Sequence, residues 1–316
     1  MFISKTNYHD GLVVILLCTY NGDRFLIDQL SSIEAQDYKN WIVIVSDDGS
    51  NDNTLPILNH YKLKWPDGKL QIRNGPQNGF CTNFLTLACD KEIKGDFYAF
   101  CDQDDIWKDS KLSFAVKSII NCNISINTPI LYCGRTFYLT ENELDITLSP
   151  LHSSFKSFNN AIIQSIAGAN TMVFNHSAKI ILEKFGVQDV PSHDWWLYLI
   201  ITGVEGHIIY DSSPQVYYRQ HSNSLVGGNV KFFDKLKRLL MIFNRRLYNW
   251  RLKNTSALII NINYLSERNK IITKLLYTFH NNGVLIRFLI IIKYKIFRQS
   301  KFQTFLLFLF IFFNII

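Results

Sequence analysis

Four polar residues follow one strongly apolar run of the sequence. Asp102, Gln103, Asp104 and Asp105 come directly after Phe97–Cys101. Two carboxylates two residues apart can face one site where the backbone turns at a strand end. Mg²⁺ and Mn²⁺ prefer oxygen ligands and typically bind through one or two carboxylates plus substrate phosphates. We therefore predict a Mg²⁺ or Mn²⁺ site at Asp102 and Asp104, with a solvated acidic loop as the alternative.

Two earlier polar segments also follow apolar runs. Thr19-Tyr20-Asn21-Gly22 follows Leu12–Cys18, and Asp47-Asp48-Gly49-Ser50 follows Trp41–Ser46. The first segment can line a pocket for a base with its backbone and the Tyr20 ring, or it is an ordinary turn. In the second, a carboxylate can accept a hydrogen bond from a base N–H, and Gly49 lets the backbone turn closely. Its alternative role is to cap the helix that begins near Thr54.

The elements that must position these residues follow from the hydrophobic pattern. Predicted strands alternate with predicted helices, which indicates βαβ units and a mostly parallel sheet flanked by helices. The strands are Leu12–Cys18, Trp41–Ser46, Lys69–Arg73, Phe97–Cys101, Ile130–Leu139, Thr171–Phe174, His207–Tyr210 and Val216–Tyr218. The helices are Arg24–Gln36, one from Thr54, Phe80–Cys89, Ser177–Phe185 and one from Pro191 to Gly203; the segment Thr140–Ser157 reads as a loop. Ligands of such sheets bind beyond the carboxyl ends of the strands, where the three polar segments converge.

Charge divides the chain into two predicted parts. Residues 1–230 carry 17 Lys and Arg against 24 Asp and Glu, whereas residues 231–316 carry 16 against two. We predict a catalytic domain over 1–230 and a basic, apolar helical extension over 231–316. An anionic membrane surface fits the extension better than nucleic acid, because the extension is also apolar.

The end of the extension has the character of an interfacial anchor. Its final apolar run, Phe302–Ile316, is shorter than the roughly 20 residues that a spanning helix needs. The basic residues Lys293, Lys295, Arg298 and Lys301 interrupt any longer span. A buried or oligomeric helix and a short span are the alternatives.

The remaining sequence signals concern the compartment. The six cysteines form no CxxC pair and lie mostly in apolar runs, which is typical of free thiols in a reducing compartment. Residues 1–11 contain no apolar signal-peptide run. We expect a cytoplasmic body that associates peripherally with the inner face of the cell membrane.

In order and combination these motifs resemble family 2 glycosyltransferases of the Rossmann-like GT-A fold, particularly the rhamnosyltransferase-type members. The resemblance covers about residues 12–228. Besides the three polar segments, its motifs are Gln29-Leu30-x-Ser32-Ile33, Gly75-Pro76-x-Asn78-Gly79-Phe80 with Asn83-Phe84, Asp105-x-Trp107, Gly168-x-Asn170, His193-Asp194-Trp195-Trp196 and Arg219-Gln220-His221-x-Asn223.

The resemblance implies a role for each site residue. Thr19, Tyr20 and Asn21 would hold the nucleotide base, and Asp48 with Gly49 would bind its N3–H. Asp104 would be the principal metal ligand, with Asp102 on the ribose or metal. Asp194 would be the general base, and His221 would approach the metal or diphosphate. Arg219 would reach the diphosphate; Asn78, Asn83 and Asn170 would line the site, with turn or cap roles as alternatives.

The chemistry of an inverting transferase agrees with these roles. A single displacement at the anomeric carbon needs one carboxylate to take the acceptor proton, and a metal to stabilise the leaving diphosphate. Trp195 and Trp196 would raise the Asp194 pKa by partial burial and form a wall against the acceptor sugar. The alternative is a helix cap at Asp194 with both Trp side chains in the core.

The resemblance implies transfer of L-rhamnose from dTDP-L-rhamnose. Together with the basic, apolar extension, it also implies a lipid-linked saccharide acceptor at the membrane, in O-antigen or capsule synthesis. A UDP-sugar donor and a non-catalytic sugar- or membrane-binding protein are the alternatives. A nucleotidyltransferase would need a Gly-rich basic loop after the first strand, where this chain has Thr19-Tyr20-Asn21-Gly22-Asp23.

Overall fold

The computed structural model describes residues 10–140, 146–220 and 246–312. Eleven strands lie in these ranges. They are β1 (Val13–Thr19), β2 (Trp41–Asp47), β3 (Leu70–Asn74), β4 (Phe97–Cys101), β5 (Ile106–Trp107), β6 (Ile130–Gly134), β7 (Phe137–Thr140), β8 (Ile146–Leu148), β9 (Val173–Asn175), β10 (His207–Asp211) and β11 (Val216–Gln220).

Helices flank the strands and form the C-terminal part of the chain. They are α1 (Asp23–Glu34), α2 (Thr54–Lys64), α3 (Gly79–Cys89), α4 (Lys111–Asn121), α5 (Phe158–Ala161), α6 (His176–Phe185), α7 (His193–Gly203), α8 (Arg246–Ile260), α9 (Glu267–Tyr277), α10 (Val284–Lys293) and α11 (Lys301–Phe312).

A seven-stranded sheet organises the body in the order β10-β6-β9-β4-β1-β2-β3. Six strands run parallel, and β9 is antiparallel to both of its neighbours, β4 and β6. This confirms the mostly parallel sheet. A smaller sheet has the order β5-β11-β7-β8. Its strands β5 and β7 directly follow β4 and β6 in the chain.

Each face of the large sheet carries its own core because alternate side chains of a strand point to opposite faces. Val13, Ile15 and Leu17 of β1 pack with residues of α1, α2 and α4. On the opposite face, Val14 and Leu16 pack with α3, α6 and α7. β1 is buried along its whole length, which explains why its sequence is continuously apolar.

The C-terminal extension shares the second of these cores. Leu258 of α8, Ile272 of α9, Ile290 of α10 and Leu307 of α11 are buried in the same cluster as α7. The helices from residue 246 onward therefore pack directly on the body that contains the large sheet. None of the helices in the described ranges combines the length and apolar character required to cross a membrane.

Three segments differ from the sequence prediction. The strand predicted over Ile130–Leu139 is divided between β6 and β7, which belong to different sheets. The break lies at Gly134, where a Cβ atom would lie 3.0 Å from the Asp211 carbonyl oxygen. The predicted loop Thr140–Ser157 contains the short strand β8, and helix α4 was not predicted.

Because the extension shares the body's core, Ile272→Ala should destabilise the whole protein. Ile272 is fully buried, and such truncations cost about 2–5 kcal/mol of unfolding free energy. Urea unfolding followed by tryptophan fluorescence and far-UV circular dichroism should show one transition at lower urea. Ile271→Ala is the matched control, since Ile271 is the preceding residue and its side chain is half exposed. An unchanged main transition preceded by a separate early one would contradict a shared core.

Candidate active site

The parallel register brings three polar strand ends to one edge of the sheet. In this register Thr19 of β1 lies beside Asp47 of β2, and Leu17 lies beside Cys101 of β4. Electrostatics supports the same convergence, because burial and the charges of Asp102 and Asp48 raise the pKa of Cys18 at the end of β1. The predicted grouping of these segments is therefore present.

The two aspartates after β2 have different tasks. The Asp47 carboxylate accepts hydrogen bonds from the hydroxyls of Thr19 (2.7 Å) and Ser50 (2.6 Å), and so braces the turn. Asp48 accepts from the backbone N–H groups of Gln77 (2.6 Å) and Gly79 (3.2 Å). Asp48 thus holds the loop before α3 against the site, and lone pairs of its two oxygens remain for a base N–H.

The neighbouring glycines permit these close approaches. Gly49 has a φ of +91°, a conformation that other residues adopt only with strain. A Cβ atom on Gly75 would lie 2.7 Å from an oxygen of Asp48 and 2.9 Å from one of Asn83. The loop therefore closes over Asp48 only because a side chain is absent at residue 75.

Tyr20 is held by the side chain of Gln103, a residue without a predicted role, whereas Asn21 bonds the turn after β2. Gln103 accepts from the Tyr20 N–H (2.8 Å) and donates to the Tyr20 carbonyl (3.0 Å). The Tyr20 ring is 57% exposed and faces solvent at the sheet edge, where a base can stack. Asn21 instead accepts from the Asn51 N–H (2.9 Å), so its amide oxygen stabilises the adjoining turn.

The predicted site asparagines separate into an exposed one and two buried ones. Asn78 is exposed before α3 and makes no capping hydrogen bond with its side chain. Asn83 is buried, donates to the Ser46 carbonyl (3.0 Å) and accepts from the Ser46 hydroxyl (2.5 Å). Asn170 is also buried and donates to Asp105 (2.6 Å). Asn83 and Asn170 thus tie loops together beneath the site, whereas Asn78 is open to solvent.

Within the acidic run, Asp105 is the structural residue. Its buried carboxylate accepts from the Asn170 amide and from the Arg219 N–H (3.3 Å). Arg219 itself is buried, donates to Asp28 (2.9 Å) and places its guanidinium 4.5 Å from the centre of the Phe25 ring. Arg219 also donates from its Nε to the Asp104 carbonyl oxygen (3.4 Å), so its guanidinium lies beside the acidic run, and its diphosphate role stays a prediction.

Asp102 and Asp104 remain half-buried at the edge of the site. Burial and the charges of Asp104 and Asp194 raise the pKa of Asp102 to about 8. Asp102, Asp104 and Asp194 therefore lie near one another with their mutual repulsion only partly relieved. A divalent cation held by Asp102 and Asp104 would lower the energy of the ionised carboxylates.

The described part of the chain holds no cluster of three or more His, Cys, Asp and Glu arranged to bind a metal by itself. Two carboxylates still fit Mg²⁺ or Mn²⁺ when substrate phosphates and water complete the ligand set. The predicted ligand His221 lies outside the described residues.

Asp194 is in the first turn of α7, and its charge contributes to the raised pKa of Asp102. It accepts from the Trp195 N–H (2.6 Å), and burial raises its pKa despite that bond and one from Ser192. The preceding His193 is buried and stacks on Phe84 at a centroid distance of 3.9 Å. Burial lowers the His193 pKa to about 3, so its imidazole is neutral and a poor proton acceptor.

The two tryptophans after Asp194 belong to the core. Trp195 donates its indole N–H to the Ala161 carbonyl (2.6 Å) and meets Trp250 of α8 edge-on. Trp196 is fully buried against Phe185. This placement corrects the predicted sugar-stacking wall: successive residues on α7 are enclosed between the sheet and the extension, so neither indole faces the site.

A buried lysine beneath the acidic run was missed by the sequence analysis. The Lys111 ammonium lies 3.0 Å from the centre of the Trp107 ring and has no hydrogen-bond acceptor among the described residues. Burial lowers its pKa to about 7, although Cys101, Asp105 and Asp102 act against this. The sequence signal for its burial was helical spacing, because Lys111 shares the buried face of α4 with Leu112, Ala115 and Val116.

Comparison with known proteins gives a family and a set of relatives. The sequence profile described as Glycosyl transferase family 2 matches residues 14–177. The dTDP-rhamnosyl transferase RfbG of Shigella flexneri is 31% identical over 241 residues, which cover 72% of this chain and 80% of the relative. The glucosyltransferase WfgD of Escherichia coli, named for UDP-Glc and an α-D-GlcNAc-diphosphoundecaprenol acceptor, is 32% identical over 37% of this chain and 44% of its own.

Two solved structures share the fold of this chain. The mannosyltransferase PcManGT from Pyrobaculum calidifontis, in complex with GDP-Man and Mn²⁺, aligns with a TM-score of 0.56, 17% identity, and 88% and 72% coverage of the two chains. TarS of S. aureus in complex with UDP aligns with a TM-score of 0.53, 18% identity, and 84% and 70% coverage. The predicted GT-A-like fold is confirmed.

Because the His193 pKa is lowered, protonation favours the unfolded chain. The stability linked to His193 should fall as the pH drops from about 6.5 to about 3. His193→Phe keeps the stacking on Phe84 and removes this dependence. It should be more stable than wild type by about 2 kcal/mol at about pH 5, and close to it near pH 7.5. Urea unfolding at both pH values measures the difference in unfolding free energy between His193→Phe and wild type. His60→Phe is the control, because His60 is exposed. If the difference between His193→Phe and wild type were the same at both pH values, the lowered His193 pKa would be contradicted.

Proposed function

Because the chain belongs to glycosyl transferase family 2, we propose that it is an inverting enzyme that transfers L-rhamnose from dTDP-L-rhamnose to a saccharide acceptor. The convergence of Asp48, Asp102, Asp104 and Asp194 at one sheet edge carries this proposal. The named activity of the Shigella flexneri relative supports the donor, since that match extends over most of both chains.

Donor binding is assigned to the polar ends of β1, β2 and β4. The base stacks on the exposed Tyr20 ring, and its N3–H donates to Asp48. Thr19, Asn21 and Gly49 shape the pocket through the turn that they form together. Asn78 is placed at the rim of this pocket, at the start of α3.

The diphosphate lies at Asp102 and Asp104, where a divalent cation would be held. When bound, Mg²⁺ or Mn²⁺ supplies positive charge that stabilises the leaving diphosphate. Asp102 also contacts the ribose in this arrangement. The Mn²⁺ named in the Pyrobaculum calidifontis complex supports a metal of this type.

Asp194 removes the proton from the acceptor hydroxyl. The acceptor oxygen then attacks the anomeric carbon from the face opposite the diphosphate, the carbon–oxygen bond to the diphosphate breaks, and its electron pair leaves with dTDP. The configuration at that carbon is inverted. The raised pKa of Asp194 suits a general base, because proton transfer is favoured when the base pKa approaches the working pH.

We assign the acceptor to the lipid-linked saccharides from which bacterial surface polysaccharides such as O-antigen or capsule are made. Such an acceptor is reached by a cytoplasmic enzyme at the inner face of the membrane, through the basic, apolar extension. The acceptor in the name of the Escherichia coli relative is of this class. That relative also names a UDP-sugar, which makes a UDP-linked hexose the second candidate donor.

A screen of nucleotide sugars should identify the donor. With Mg²⁺ present and acceptor-containing membrane extract added, dTDP release should exceed release of UDP or GDP, and EDTA should remove it. Nucleotide diphosphates are measured by ion-pair chromatography. Greater UDP release would select the second candidate, and no release with any donor would favour a non-catalytic binding protein.

Asp194→Asn should abolish transfer and retain donor binding. The amide cannot accept the acceptor proton, and a catalytic base typically contributes about 10²–10⁴-fold in rate. Turnover and donor affinity by calorimetry are measured on the same preparations. Asp189→Asn is the control, because it makes the same carboxylate-to-amide change at an exposed residue that is paired with Lys253. Wild-type turnover in Asp194→Asn would remove Asp194 as the base.

A further inference from the structure

The last two helices expose apolar side chains on the face opposite their buried face. Helix α10 buries Arg287, Ile290 and Ile291 toward the body. The opposite side of α10 exposes at least half of each of four large apolar side chains, Leu285, Ile286, Leu289 and Ile292. These positions are three or four residues apart or adjacent, so they form one continuous stripe of the helix.

Helix α11 repeats this arrangement. It buries Leu307 and Ile311 and exposes Phe302, Phe305, Leu309 and Phe312. Phe288 and Phe308 stack between the two helices at 5.6 Å, so α10 and α11 lie side by side. The two exposed stripes therefore form one outward apolar surface, which we call the outer face of the hairpin.

The charge around the outer face is uniformly positive. Residues 283–301 contain Arg287, Lys293, Lys295, Arg298 and Lys301 and no Asp or Glu. Three of these cations, Lys293, Lys295 and Lys301, are exposed at the junction of the two helices. An apolar surface rimmed by cations matches an anionic lipid bilayer. A second copy of the chain would bring the same positive charge to the contact and be repelled.

Buried hydrogen bonds fix the hairpin to the catalytic body. Asn160 donates to the Phe297 carbonyl (3.1 Å) and accepts from Gln299 (3.0 Å) in the connection between α10 and α11. Asn160 also accepts from the Tyr198 hydroxyl (3.0 Å) on α7. Tyr198 is one helical turn beyond Asp194, so the helix that carries the proposed base is the one to which the hairpin is tied.

The same connection places an apolar residue of the catalytic domain beside the hairpin. Ser154 donates from its N–H to the Gln299 side chain (3.1 Å) and from its hydroxyl to the Gln299 carbonyl (3.0 Å). The next residue, Phe155, is 80% exposed. The exposed Phe155 thus follows a residue that is hydrogen-bonded to Gln299, which stands two positions before Lys301 in the chain.

We propose that the outer face of the hairpin and Phe155 form a single docking surface for an anionic lipid bilayer. The partner rests on the proposed function, in which the acceptor is lipid-linked. Since the surface is fixed to the body, docking sets the position of Asp194 relative to the membrane. A freely attached tail, in contrast, would leave the catalytic domain without lipid contacts.

Co-sedimentation with vesicles tests this surface without donor or acceptor. Vesicles of phosphatidylglycerol and phosphatidylethanolamine should bind the full chain, phosphatidylcholine vesicles should bind it weakly, and high salt should weaken binding by screening. Leu289→Ser with Phe305→Ser should reduce the binding constant by about tenfold for each side chain removed. Phe155→Ser should reduce it by about three- to tenfold. Leu63→Ser, in an 89% exposed position of α2 on the other side of the sheet, is the control.

Each result has a defined meaning. Unchanged vesicle binding in the double variant Leu289→Ser with Phe305→Ser would overturn the docking surface. Unchanged vesicle binding in Phe155→Ser would overturn the part of the proposal that includes the catalytic domain, and would leave the C-terminal helices as the lipid-binding segment. If sedimentation velocity instead showed a dimer that the hairpin variant dissociates, with vesicle binding intact, the outer face would be an interface between copies. Vesicle binding needs no turnover, so it can be interpreted even if the donor screen fails. Conversely, failure of vesicle binding would not contradict the proposed transfer reaction.

Discussion

The site depends on gathering carboxylates of like charge at one edge of a parallel sheet. The parallel register forces this closeness, because the carboxyl ends of β1, β2 and β4 meet at that edge. The protein stabilises some of these acids itself, through hydroxyl and N–H donors to Asp47 and Asp48 and through Asn170 for Asp105. Burial and the charges of Asp104 and Asp194 raise the Asp102 pKa, which favours a bound cation beside Asp102.

This division explains the polar residues beneath the site. Asn83, Asn170 and Arg219 are buried, and each joins loops that approach from different strands. Lys111 adds a buried positive charge below the acidic run, which partly offsets the carboxylates above it. Asparagine, arginine and lysine side chains, which bind ligands in many sites, serve here to hold the ligand-facing acids in place.

Helix α7 connects the site to the rest of the molecule. Its first turn carries Asp194, and its following residues pack between the sheet and the C-terminal helices. Its carboxyl end is held by the Asn269 amide of α9, which donates to the Gly203 carbonyl (3.0 Å). The extension is therefore part of the framework that positions the proposed base, and its outer face is left as the apolar surface.

The sequence alone determined the alternating strands and helices, the grouping of three polar strand ends and the family resemblance. These follow from local hydrophobic periodicity and from motifs contiguous in the chain, which need no long-range contact to be read. Only the tertiary structure decided which polar side chains face the site. Asp48 and Asp105 are both aspartates after strands, yet their donors come from residues about 30 to 115 positions away. Trp195 and Trp196 lie in the core for the same reason, because what encloses a helix depends on elements distant in sequence.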